Sequence, residues 1–200
     1  MGQPSVYSRF QIIDAAFELV RETGWTAVTT RTIAKKLGSS TMPIYSHVQS
    51  VDELEKELLV KARQLQKTYQ QHPYTEHALL NLAFGYVVFA RDEKNLFRFL
   101  YLEKPAAVDM EDGKKMREGF FLEYGEDSEE GRALLELKRA GQEYLIQYTW
   151  IFTHGLAMLV NAGAFGSNSN QAIMRFLRNA GEAFYLWGSQ YEGGSSDYEK

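Results

Sequence analysis

Residues 39–48, SSTMPIYSHV, interleave short hydroxyls, a thioether, a phenol and an imidazole with two apolar residues four apart, Ile44 and Val48. That spacing predicts a short helix that turns Ile44 and Val48 toward a core and leaves Thr41, Met42, Tyr45, Ser46 and His47 on or near its free face. A short helix that leads with small, polar and aromatic side chains suits noncovalent reading of DNA. The major groove, about 12 Å wide, admits a helix only if its leading residues are not bulky.

Such a helix needs others to hold it. Thr29 is placed to cap a preceding helix whose apolar residues Ile33, Ala34 and Leu37 share one face, and Gly38 supplies the left-handed residue that ends it. After the Gly-Ser-Ser turn, Ser40 is expected to cap the second helix. Pro43 then falls at its third position, where backbone N–H groups lack intrahelical partners and a proline is tolerated. Upstream, Phe10, Ile13, Ala16, Phe17 and Val20 recur at helical spacing, and Gly24 closes the run. Downstream, Ser50-Val51-Asp52-Glu53 is a capping box that opens a helix striped by Leu54, Leu58, Ala62 and Leu65. Three helices form a head, and a fourth leads away from it.

TTRTIAKKLG, the turn, PIYSHV and the capped SVDEL, preceded by a helix ending in Gly, resemble the DNA-binding head of the tetracycline-repressor (TetR) family of transcriptional regulators over roughly residues 8–60. The resemblance implies phosphate contacts from Thr30 and Arg31, base reading by Ser40, Thr41, Met42 and Pro43, and clamping of the DNA backbone by Tyr45 and His47. The chain departs from many members at Val51, where a Lys supplies a further phosphate contact. The resemblance also implies a homodimer whose final two helices, about residues 129–163 and 169–189, form a four-helix interface, with WIFTHGLAML at 150–159 similar to the penultimate helix of many members. It further implies double-stranded DNA with a palindromic operator as partner, since two heads related by twofold symmetry read two half-sites.

The net charge of −4 is unevenly shared: residues 1–70 hold 9 Lys and Arg against 7 Asp and Glu, whereas residues 71–200 hold 13 against 19. The head is therefore mildly basic and the remainder acidic. So small an excess excludes histone-like binding and leaves affinity to a few placed phosphate contacts. The chain has no cysteine, which excludes disulfides, thiol chemistry and cysteine-rich zinc sites and agrees with a reducing cytoplasm. No leader pattern opens the chain, so a cytoplasmic location is expected. The apolar stretch at 148–165 is interrupted by Thr149, Thr153, His154, Gly155 and Asn161 and reads as a buried helix rather than a membrane span.

The expected fold is all-α: a helix-turn-helix head at residues 1–52, a connecting helix at 50–70, a helical ligand-binding and dimerisation domain at 71–192, and a disordered Gly-Ser-rich tail at 193–200. A break is expected near QQHPYT at 70–75, and a loop with one broken helix over 106–131. A long helix is expected from Ser128 to about Asn161, kinked near Gly141 or Gly155. The second domain is rich in rings. Phe84, Phe89, Phe97, Tyr101, Phe121, Tyr124, Tyr148, Phe152 and His154 are the candidates to line a site for a small apolar or aromatic effector, although aromatics at helical spacing also build ordinary cores. Release of a repressor from DNA by that effector is the expected mechanism.

An enzyme is the rival class. No histidine has Glu three residues before it, and no His-Glu-x-x-His, Walker loop, Gly-x-Gly-x-x-Gly or Gly-x-Ser-x-Gly occurs, so no catalytic residue, metal or cofactor is expected. A helical interaction module, or an activator whose DNA binding is absent or effector-dependent, is the remaining alternative, supported by Val51.

Overall fold

The computed structural model describes residues 7–48, 50–103, 113–125 and 128–191. Among them the chain is all-α, with ten α-helices and no strand: α1 (Arg9–Thr23), α2 (Thr30–Leu37), α3 (Met42–His47), α4 (Val51–Gln70), α5 (Ala78–Asp92), α6 (Lys94–Arg98), α7 (Gly113–Tyr124), α8 (Glu129–Leu135), α9 (Arg139–Asn161) and α10 (Asn170–Gln190). The tail expected at 193–200 lies outside the described residues.

The helices divide into two compact units. The first comprises residues 1–68 and 92–106; the second comprises 69–91 and 107–200. In the first, Ser8 and Gln11 form a reciprocal cap that starts α1, and Gly24, at φ 88°, ends it. Ile12, Ala16, Val20, Ile33, Ile44 and Leu58 are fully buried and make the core of the head. Phe10, expected on the buried stripe, is instead 71 % exposed; its ring lies below the ammonium of Lys61, which pairs with Asp14 and joins α4 to α1. The segment after α5 also belongs to this unit. Glu93, 4 % exposed, accepts two hydrogen bonds from Arg21, at 2.7 and 2.5 Å. Asn95 donates to the Arg21 carbonyl at 2.9 Å, and Phe99, in a π-helical turn (Phe99–Glu103) that continues α6, packs on Trp25.

In the second unit α9 packs along α10 and α7. The single long helix expected from Ser128 is two helices. α8 ends at Leu135, and the chain turns at Glu136–Lys138 before α9 begins. Gln142 holds this break by donating from Nε2 to the Leu137 carbonyl at 2.8 Å. Gly141 lies in the first turn of α9; its backbone faces Gly188 of α10, where a Cβ would overlap the Gly188 carbonyl oxygen. The glycine is there because the two helices approach too closely for a side chain. On α7, Gly119 has open space around it.

This contrast sets an expectation for stability. Gly141→Ala should destabilise the chain by about 1–3 kcal/mol through overpacking, whereas Gly119→Ala should stabilise it by up to about 1 kcal/mol through helix propensity. Urea unfolding of the two variants checks both signs.

Candidate nucleic-acid interface

α2 is bounded as its residues dictate. The Thr29 hydroxyl accepts from the Thr32 N–H at 3.1 Å, and the Thr32 hydroxyl accepts from the Thr29 N–H at 2.8 Å. At the other end Gly38 adopts φ 66° and ψ 33°, left-handed backbone that a side chain would strain, and its N–H and that of Ser39 close the helix on the Ala34 and Lys35 carbonyls. The Tyr7 hydroxyl donates to the Leu37 carbonyl, one of the groups a helix end leaves without a partner.

The second helix of the motif starts later than its sequence implies. Thr41, not Ser40, is the cap residue of α3, without a side-chain cap hydrogen bond; the Ser39 hydroxyl donates to the Ser40 carbonyl at 3.0 Å. Ser40 has therefore become part of the turn. Pro43 falls in the first turn of α3 as expected, its side chain lying outside the described residues. Ile44 and Val48 are buried, and α3 packs on α1 and α2.

Opposite that buried edge, Met42 is 77 % exposed and Tyr45 is 64 % exposed. The Tyr45 hydroxyl is hydrogen-bonded to the Thr30 hydroxyl at 3.2 Å, which brings together two residues fifteen positions apart at the start of α2 and on α3. Ser40 and Ser46 are exposed and Thr41 is half-buried. Arg31 is exposed and makes no ion pair among the described residues. Lys35, one turn further along α2, is likewise exposed and uncommitted; the sequence reading passed it over, although the spacing of four residues from Arg31 sets both on one side of the helix. Lys36, by contrast, is paired with Glu22 at 2.8 Å.

His47 is not a free-face residue. Its ring is half-buried, with Nε2 fully enclosed and without a hydrogen-bond partner among the described residues. Its carbonyl accepts from Arg9, whose guanidinium also pairs with Glu53, at 2.7 Å, and Glu57. The Ser50 hydroxyl accepts from the Glu53 N–H at 3.1 Å, so the cap expected at the start of α4 is formed on that side. Val51 is exposed at the first position of α4.

Two short helices joined by a left-handed glycine turn, the second packed on the first by one edge and exposing the other, constitute a helix-turn-helix DNA-binding head. Residues 12–58 match the family model for bacterial regulatory proteins of the tetR family, so this head is a TetR-type DNA-binding domain of a transcriptional regulator. No curated protein matches the chain.

The candidate effector residues are dispersed. Phe84 and Phe89 are closed core rings, packed edge-on against Tyr74 and Tyr69. Phe97 is fully buried in the first unit, where Tyr101 also lies and donates to Gln66 at 2.8 Å. Phe121 carries the Arg117 guanidinium 4.7 Å from its ring centre. The side chain of Tyr124 lies outside the described residues. Tyr148 is exposed and stacks on Tyr144 at 4.2 Å. Phe152 lines an open apolar groove of about 490 Å³, with Gly155, Leu156 and Leu159 of α9 and Phe165 and Phe176.

His154 is bonded through Nδ1 to the hydroxyl of Tyr86, at 2.8 Å, and stacks flat on Trp150. Next to it the Thr153 hydroxyl is buried without a partner among the described residues. Among the described residues no helix is long and apolar enough to cross a membrane.

Arg31→Ala should weaken binding to every duplex by a similar factor and lower the slope of log affinity against log salt by about 0.9 per head, the signature of a lost phosphate contact. A titration at several salt concentrations measures it. Burial of His154 pushes its pKa below the ordinary value of 6.5. The folded chain therefore takes up this proton less readily than the unfolded chain, and stability declines as pH falls below about 6.5. Thermal melts at about pH 7.5 and about pH 5.5 should show a smaller acid-induced drop for His154→Gln than for the parent chain.

Proposed function

We propose that the chain is a homodimeric repressor that binds a palindromic operator and is released by a small, largely apolar or aromatic effector. The observation that carries the DNA half of this reading is the exposed edge of α3, with Tyr45 bonded to Thr30. In this reading Thr30, Arg31, Tyr45 and His47 hold phosphates, and Ser40, Thr41, Met42 and Pro43 face base edges. His47 makes its contact through Nδ1, because Nε2 is enclosed.

The dimer is supported by α9 and α10. Tyr148, Ile151, Leu159, Phe176, Leu186 and Trp187 are all exposed, an apolar surface of the kind that marks an interaction site. The groove lined by Phe152, Leu159 and Phe176 opens on the same two helices. A second copy is the occupant this reading assigns, since a six-residue recognition helix spans few base pairs and gains affinity when two heads act together.

An effector acts on the second unit. Tyr86, His154 and the unpartnered Thr153 hydroxyl supply polar anchors among apolar residues, the usual composition of a small-molecule site. Its binding shifts α4 and changes the separation of the heads. A ligand that favours one separation by a few kcal/mol is sufficient to move the equilibrium. The protein works in the cytoplasm, where its operator is, and needs no catalytic site for this task.

Selection from a random duplex library with the purified chain, followed at two salt concentrations, tests the reading. We expect a palindrome to be enriched, Tyr45→Ala to bind it about tenfold more weakly through the lost charge-assisted phosphate contact, and Trp187→Glu to convert a dimer into a monomer by sedimentation. No enrichment at low salt would leave the head as a structural remnant in an interaction module.

A further inference from the structure

The part of the head that faces bases is unusual in what it lacks. Guanine is read by a bidentate Arg or Lys, and adenine by a bidentate Asn or Gln. From Gly38 to His47 there is none of these four residue types. Arg31 and Lys35 belong to α2, and Gln49 follows the end of α3, outside the described residues. The short hydroxyls of Ser40 and Thr41 accept or donate to either base of a pair and discriminate little. Tyr45, the other prominent side chain, has its hydroxyl tied to Thr30 at the start of α2. What α3 does offer is Met42, 77 % exposed, one turn before Tyr45 on the edge opposite the buried Ile44. Its thioether chain is flexible, polarizable and free of hydrogen-bonding groups. One feature of the major groove matches that chemistry, the 5-methyl group of thymine.

We propose that Met42 reads a thymine methyl group, so that each half-site is built on an A·T pair recognised by apolar contact rather than on guanines recognised by hydrogen bonds. This rests on the DNA-binding reading above and adds the base class to it. Burying one methyl group against Met42 is worth about fourfold in affinity, and about fifteenfold for the two half-sites of a dimer.

The test begins with the operator obtained by selection with the full chain. Each thymine is then replaced in turn, in both half-sites, by deoxyuridine, which removes the 5-methyl group and leaves the hydrogen-bonding edges intact. One position per half-site should lose about fifteenfold in the symmetric duplex. Met42→Ala, whose side chain is exposed and whose helix content should be unchanged by circular dichroism, should bind the parent duplex more weakly and no longer distinguish uracil from thymine there. Equal binding of every deoxyuridine duplex by the parent chain overturns the proposal while leaving the regulator reading intact. So does a thymine sensitivity that survives in Met42→Ala, or a selected half-site fixed by guanines alone. Failure to select any duplex overturns both.

Discussion

A six-residue helix cannot hold its own shape in water, so the reading surface of this protein depends on what fixes α3 from outside. Burial of Ile44 and Val48 sets its depth on α1 and α2. Arg9 sets its exit: from the first position of α1, one guanidinium holds the His47 carbonyl and the carboxylates of Glu53 and Glu57. The two carboxylates raise the pKa of this guanidinium, keeping it charged throughout. The pairs are partly exposed, and pairs of that kind add little to stability. Their effect is geometric. A planar fork that satisfies three acceptors on two elements leaves the end of α3 and the start of α4 one relative placement.

The same head recruits a segment from far along the chain. Glu93 is buried, and burying a carboxylate is costly unless it is paired and hydrogen-bonded; Arg21 supplies both through two parallel N–H donors. Trp25 on Phe99 and Tyr101 on Gln66 extend the contact along the π-helical turn. Two residues before Glu93, Arg91 donates to the Asn168 carbonyl and the Asn170 side chain, and Asn161 donates to the Ala90 carbonyl, bonds that lie within the second unit. The end of α5 is thus pinned in one unit at residues 90 and 91 and in the other at residue 93.

What could be read from sequence followed the range of the interactions involved. Thr29 with Thr32 and Gly38 with the Ala34 carbonyl act within a few residues, so the limits of α2 were legible, as was the burial of Ile44. The cap of α3 was misread because Ser40 and Thr41 are both competent, and packing on α1 and α2, rather than propensity, decides between them. The break between α8 and α9 was invisible because Glu136-Leu137-Lys138 has neither Gly nor Pro; it is made by Gln142 reaching back to Leu137. Gly141, which looked like the breaker, serves the crossing with α10, 47 residues on. Phe10 kept helical spacing but lies under Lys61 at the surface. Ring spacing could not separate the closed Phe84 and Phe89 from Phe152 in its groove, because a pocket is a relation in space.

The thin charge excess of the head and the absence of Arg, Lys, Asn and Gln from α3 have a common consequence. In the proposed reading, a head with few phosphate contacts and few directional base contacts binds weakly alone, and most of the operator affinity comes from joining two heads at the right separation. Joined heads multiply their affinities only if both reach their half-sites together, so the gain is lost when the spacing changes. A head that bound tightly by itself would stay on DNA whatever the separation. Weak heads make the complex sensitive to small movements of the helices that connect them, and in the proposed reading that sensitivity is what allows an effector in the second unit to control DNA binding with a few kcal/mol.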